Sequence, residues 1–226
     1  MATPVPRVSV PDHVFAQLRE AILLGRYRPG ERLPPQRALA ADMEVNMASV
    51  REALKRLEQL RLVEVRHGDA TRVLDWRRSG GLEALLLPGA AEKPFLRDLF
   101  EARRVLLVEA ARLAAQRRTE EQARQLRELA ETVAAAEETE MRLAADWAFM
   151  AALVEAAGNL VFQLIMNSVR ELYLQRAEDF TALVAAGESH TGLYRRAATA
   201  VAARDAEEAS RAVGELASAQ AASMIG

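Results

Sequence analysis

The chain has 226 residues, half of them hydrophobic and 27% charged, with a formal net charge of −2 at pH 7. That is room for one or two soluble domains, each burying its own core. The absence of cysteine excludes disulfides, Fe–S clusters and thiolate zinc sites, and no apolar run approaches the ~18 residues that a membrane helix needs.

Split along the chain, the charge carries more information. Residues 1–78 hold 14 Lys+Arg against 10 Asp+Glu, a surplus of positive charge, and residues 79–226 hold 16 against 22. A basic first third on an acidic remainder points to a nucleic-acid partner for the first part only. Residues 1–10 contain Pro4 and Pro6 but no apolar core of the signal-peptide kind, so a cytoplasmic location is expected.

Pro11 to Gly25 is predicted as a first helix, capped by Asp12, with Val14, Leu18, Ala21 and Ile22 on one stripe. Tyr27-Arg28-Pro29-Gly30 is turn chemistry. A second helix starts near Leu33-Pro34-Pro35-Gln36, where proline loses no hydrogen bond in a first turn. Asp42 to Asn46 interrupts the pattern, and Asn46 is a good N-cap for a third helix over Met47–Leu60. There Val50, Ala53, Leu54, Leu57 and Leu60 keep the spacing of one buried face, and Met47, Arg51 and Lys55 form the opposite stripe. Leu62–Arg66 and Thr71–Leu74 read as the strands of a hairpin with His67-Gly68-Asp69-Ala70 at its tip. Helix, turn, helix and hairpin make a winged helix-turn-helix, whose usual partner is double-stranded DNA.

Residues 1–76 are therefore assigned to a DNA-binding domain and residues 77–94 to a linker with a short helix at Leu82–Leu87. Residues 95–226 form an all-α bundle. Its predicted helices are Phe95–Arg117, Thr119–Glu138, Thr139–Ala157, Asn159–Thr181, Glu188–Ala203 and Asp205–Met224, with breaks at Thr119, Gly158-Asn159, Gly187 and Asp205. The fold class is mainly α with a small β-wing. Two charges fall on apolar stripes of the bundle: Arg103, among Leu96, Leu99, Phe100 and Leu107, and Asp146, among Leu143, Met150 and Leu153. A buried charge is costly unless paired. These two mark either a mutual ion pair or a ligand pocket.

The sequence resembles the GntR superfamily of bacterial transcription regulators, and within it the FadR branch with an all-helical C-terminal domain. The carrying residues are Gly25-Arg26-Tyr27-Arg28-Pro29-Gly30-Glu31-Arg32-Leu33-Pro34, Gln36-Arg37-Ala38-Leu39-Ala40, Val50-Arg51-Glu52-Ala53-Leu54 and the wing Leu62-Val63-Glu64-Val65-Arg66-His67-Gly68. The C-terminal half matches at Leu99-Phe100-Glu101-Ala102-Arg103, Asp146, Phe149 and Ala157-Gly158-Asn159. The resemblance implies a homodimer that binds a short inverted repeat and represses, holds a small effector in its bundle and releases DNA when that effector binds. It places DNA contacts at Arg37, Arg51, His67 and Gly68. Asn46, Met47 and Ser49 join them at the start of the reader helix, where relatives often carry a second arginine and threonines. A lost bidentate donor there removes about 1–3 kcal/mol of base discrimination, so the operator is expected to be this chain's own.

Many related bundles hold a divalent ion with one Asp and three His. Here the Asp is Asp146, but the histidine positions are Met150, Tyr194 and Leu216. The only histidines are His13, His67 and His190, the last read as a surface residue. One carboxylate and at most one imidazole fall short of a usual ligand set, so no metal or other cofactor is expected. The resemblance to metal-free, long-chain acyl-CoA-responsive proteins then implies an apolar pocket for such an effector, lined by Arg103, Asp146, Met150, Tyr173, Arg176, Phe180, Tyr194 and Gly214. Alternatives are an organic acid in the same pocket, or a ligand-free bundle used for protein contacts. An enzyme is not expected. Lys93 is the only lysine after Lys55, which leaves no Schiff-base lysine region, and there is neither a glycine-rich phosphate loop nor a nucleophile–base pair.

Overall fold

The computed structural model describes residues 9–65, 71–81, 93–175, 180–184 and 188–225. The chain divides into two compact units, residues 1–89 and 90–226. The predicted wing tip with His67 and Gly68, the patch Leu82–Leu87 and Arg176 lie outside the described residues.

The first unit is built on α1 (Val10–Leu23), α2 (Gln36–Asp42) and α3 (Met47–Gln59). The expected cap Asp12 is instead the third helical residue of α1. Ser9 is the cap, its hydroxyl accepting from the Asp12 N–H at 3.3 Å while the Asp12 carboxylate accepts from the Ser9 N–H at 3.2 Å. Such a reciprocal pair satisfies two otherwise orphaned donors. Val14, Leu18 and Ile22 of α1, Leu39 of α2, and Val50, Leu54 and Leu57 of α3 close one core, as the periodicity requires. Arg56 fastens α1 to α3, donating to Asp12 at 2.5 Å while lying 4.2 Å over the Phe15 ring.

The hairpin pairs β1 (Val63–Glu64) with β2 (Arg72–Val73), Val63 opposite Val73 and Glu64 opposite Arg72. Residues 30–33, expected to be turn and helix entry, run along β2 as a third edge. The Gly30 N–H donates to the Val73 carbonyl, the Val73 N–H to Glu31, and the Leu33 N–H to Thr71, each within 2.9 Å, with Arg32 bridged to Arg72. The pairing partner lies forty residues away, so no local pattern announces it. Gly30 enters this edge at φ +84, and Gly25 ends α1 at φ +73, both left-handed positions that cost a side chain strain. Arg77-Arg78-Ser79, assigned to the linker, form with Trp76 the single-turn α4 (Trp76–Ser79), capped by Asp75.

The second unit comprises α5 (Lys93–Arg117), α6 (Glu120–Ala135), α7 (Thr139–Ala156), α8 (Leu160–Gln175), α9 (Thr181–Val184), α10 (Glu188–Ala202) and α11 (Ala206–Ile225). Of the long helix predicted over Asn159–Thr181, α8 accounts for Leu160–Gln175, and residues 176–179 lie outside the described residues. α5 packs along α11 and α7, and α10 lies against α6 and α11. Small side chains in the shared core, among them Ala110, Ala111 and Ala114 of α5 and Ala209 and Ala212 of α11, take little space between these helices. Helix ends are closed by side chains. Thr119 caps α6 in a reciprocal pair with Gln122, and Asp205 caps α11 through the Glu208 N–H at 2.9 Å. Buried Arg118 donates to the last carbonyls of α10, Val201 and Ala202, while Arg204 donates to Gln116 of α5 at 3.1 Å. The unmatched carbonyls of two helices are thereby satisfied at one end of the bundle.

Candidate functional site

Two groups of sequence-predicted residues can be followed into the structure. In the first unit, α3 is set by its N-cap. The Asn46 side-chain oxygen accepts from the Ser49 N–H at 2.8 Å and from the Ser49 hydroxyl at 3.2 Å. Ser49 is consequently buried, and its hydroxyl serves the cap instead of facing outward. The first turns of α3 present Met47, Ala48, Arg51, Glu52 and Lys55 to solvent, Glu58 and Gln59 are exposed at its end, and α2 adds the exposed Arg37. Among the described residues no hydrogen bond or ion pair holds Arg51 or Arg37. Exposed guanidinium groups without partners have the chemistry of a surface that meets an anionic partner.

In the second unit the residues converge on Asp146, on α7, which is 1% exposed. One carboxylate oxygen, Oδ1, accepts from the Tyr194 hydroxyl at 2.6 Å and from Gln220 Nε2 at 2.9 Å. The other, Oδ2, accepts from the Tyr173 hydroxyl at 3.0 Å. Arg103 Nη2 stands 3.8 Å from Oδ2, and its Nη1 donates to Gln220 Oε1 at 2.8 Å. Five side chains from α5, α7, α8, α10 and α11 thus form one network. Burial pushes the Tyr173 and Tyr194 hydroxyls well above their ordinary value of 10.0, and the Asp146 charge adds to it. Both phenols stay protonated and act as donors. Arg103, whose side chain keeps 20% of its exposure, is the charged group of the network most open to solvent.

Apolar and aromatic groups surround this network. Tyr173 has Trp147 at 4.9 Å on one side and Phe180 stacked at 5.3 Å on the other, and Tyr194 meets the Phe149 ring edge-on at 5.1 Å. Met150 is buried in the same core. Gly214 has a different setting: a Cβ there would lie 3.3 Å from Val108 of α5, so this glycine belongs to the α5–α11 contact. His190, read from the sequence as a surface residue, is buried, one turn before Tyr194. Burial lowers its pKa from the ordinary 6.5 in spite of the attraction of Asp146.

The sequence reading missed Gln220 and Trp147. Gln220 was findable, because it continues the stripe Ala209, Val213, Leu216 on the buried face of α11, where a polar side chain must have a partner. Trp147 has no such signal; it is half-buried between stripes.

This donor set does not fit a divalent ion. Both oxygens of Asp146 are occupied by protein donors, and Met150, Tyr194 and Leu216 offer no imidazole at the expected positions. Among the described residues no group of three His, Cys, Asp or Glu could hold a metal.

Comparison with known proteins matches residues 11–73 to the model of bacterial regulatory proteins of the gntR family, and residues 98–219 to the FCD domain. The HTH-type transcriptional regulator Mce2R of Mycobacterium tuberculosis is 36% identical over 219 residues, covering 94% of this chain and 90% of its own length. The fatty acid metabolism regulator protein of Erwinia tasmaniensis is 28% identical over 180 residues, covering 78% of this chain and 75% of its own. Among solved structures, Lar, which controls expression of the Listeria monocytogenes agr system, superposes with a TM-score of 0.63 over 97% of this chain and 98% of its own, at 14% identity, a likeness of fold.

Proposed function

The chain belongs to the gntR family of bacterial regulatory proteins, as a DNA-binding transcriptional regulator with an effector-binding FCD domain and not an enzyme, and from that premise we propose that it is a repressor. It acts as a homodimer on a palindromic operator in the cytoplasm and leaves DNA when its bundle takes up a small effector. Within the described residues no helix is long and apolar enough to cross a membrane. The observation that carries the DNA-reading part is the exposed, unpartnered Arg51 on the outward stripe of a capped α3. A guanidinium there reaches a guanine edge or a phosphate. Arg37 and Met47 flank it, Asn46 and Ser49 fix the helix start, and His67-Gly68 supplies a minor-groove contact from the wing.

For the effector we propose a long-chain acyl-CoA, held through Arg103 and the aromatic shelf of Tyr173 and Phe180. The likeness to the Erwinia fatty acid regulator supports this reading, as do the aromatic rings of Trp147, Tyr173 and Phe180 beside the network. An organic acid is the second reading, favoured by the donors of Arg103 that Gln220 leaves free. Ligand at Arg103 would compete with the contacts that tie α5 to α7 and α11, which gives it differential affinity for two arrangements of the bundle.

The test is release of the full-length protein from an operator recovered by selection from random duplexes, read by fluorescence anisotropy. Oleoyl-CoA is expected to release it and to bind in calorimetry, and Arg103→Ala to abolish both. Binding of lactate or citrate without acyl-CoA binding would select the second reading, and silence with all of these would remove the effector proposal.

A further inference from the structure

The reader helix carries a second charged group that the DNA-contact assignment leaves without a task. Glu52 is exposed on α3. Successive residues of a helix are about 100° apart, and Ser49, Val50, Ala53, Leu54 and Leu57 define the buried side. The outward direction opposite them runs through Ala48 and Lys55, with Arg51 to one side and Glu52 to the other by similar angles. A groove that receives Arg51 therefore receives Glu52 as well.

Three local facts leave this carboxylate available. Among the described residues no hydrogen bond or ion pair holds it. Arg56, the partner that the i, i+4 spacing would offer, is taken by Asp12 and the Phe15 ring. Helical side chains lean toward the helix N-terminus, so Glu52 lies over Ala48, whose methyl group leaves the space above it open. The N-terminal turns are those that meet base edges in a helix-turn-helix.

Of the outward groups on these turns, Arg51 and Lys55 only donate, Ala48 does neither, and the thioether of Met47 is a weak acceptor. Glu52 is the one strong acceptor, and an ionised carboxylate accepts only. In the major groove it fits the exocyclic amine of cytosine. Adenine sets an acceptor beside its amine, and guanine and thymine present acceptors. A carboxylate near phosphates is unfavourable elsewhere, so it discriminates as well as binds. We propose that Glu52 specifies a cytosine in each operator half-site. This inference rests on α3 being the reader helix.

The experiment is selection from a random duplex pool by the full-length protein and by Glu52→Ala and Glu52→Gln, with thermal melting to check that all three fold alike. The wild type is expected to prefer cytosine at one position of each half-site by roughly ten-fold or more. Glu52→Ala loses that preference, and Glu52→Gln moves it toward adenine, which the amide matches bidentately. Unchanged base preferences in both variants would overturn the inference with the reader helix intact. A wild type that enriches no sequence would overturn the reader assignment itself, and this inference with it.

Discussion

On α3 the charged side chains Arg51, Glu52 and Lys55 stand in solvent, without partners among the described residues, whereas at the centre of the bundle Asp146 is 1% exposed and every oxygen it has is occupied. The two regions solve opposite problems. Water satisfies the groups of an exposed strip until a partner replaces it, so such a strip can keep its hydrogen-bonding capacity open at little cost in stability. An interior has no water to lend, and a polar group there must be matched by the protein or it destabilises the fold. The contrast yields a rule for substitutions: those in the bundle network cost folding, and those on α3 cost binding.

The largest expected effect is in the bundle. Asp146→Ala strips the acceptor from two phenols, an amide and a guanidinium at once. Breaking a buried charged network of this kind costs about 3–5 kcal/mol, at the lower end here because Arg103 is partly solvated. Chemical denaturation should show the loss directly. Next comes Tyr194→Phe, which removes the 2.6 Å hydrogen bond to the same carboxylate and the 2.9 Å bond that the hydroxyl accepts from Gln220, and keeps the ring against Phe149. A hydrogen bond to a charged group is worth about 1.5–3 kcal/mol. If both variants melt like the wild type, the network is not structural and the contrast with α3 collapses.

Arg51→Ala probes the other side. Its melting temperature should stay near that of the wild type, since surface substitutions away from special features change stability by about 0.5 kcal/mol or less. Discrimination for the selected operator should fall by about 1–3 kcal/mol. Loss of stability without loss of specific binding would place Arg51 in the fold and not at the interface.

The sequence made these regions unequally legible. The reader unit was accessible because its core comes from short-range periodicity: Val50, Leu54 and Leu57 announce the buried side of α3, and Asn46 its start. Even so, the pattern announced the Asn46 cap but not that it also takes the Ser49 hydroxyl, since a good cap and a good DNA contact are the same residue types. Nor did it show residues 30–33 pairing with β2, a contact between distant segments. In the bundle, Arg103 and Asp146 were marked by charge on an apolar stripe. Their mediator Gln220 sits 117 residues from Arg103, and only helix packing brings the two together. His190 reads as exposed among Glu188, Ser189 and Thr191, and tertiary contact alone decides that it is buried.

His190 provides the smallest and most selective test of the contrast, because it is a titratable group inside the bundle. Burial depresses its pKa below 6.5 more than Asp146 raises it, so the folded state favours the neutral imidazole while the unfolded chain takes up a proton at the ordinary value. The unfolded state therefore binds more protons as pH falls through 6.5, and stability is lost in that direction. His190 contributes no penalty above pH 6.5 and an increasing one below it, down to its folded pKa. Melting temperatures of the wild type and His190→Gln, measured between about pH 7.5 and 5, should diverge only on the acid side, with the wild type falling more steeply. His13 lies exposed on α1, and it is present in both proteins, so the difference between the curves isolates the buried ring. Parallel curves would mean that the imidazole remains solvated, and that the closed, self-satisfied interior inferred around Asp146 does not extend one turn along α10.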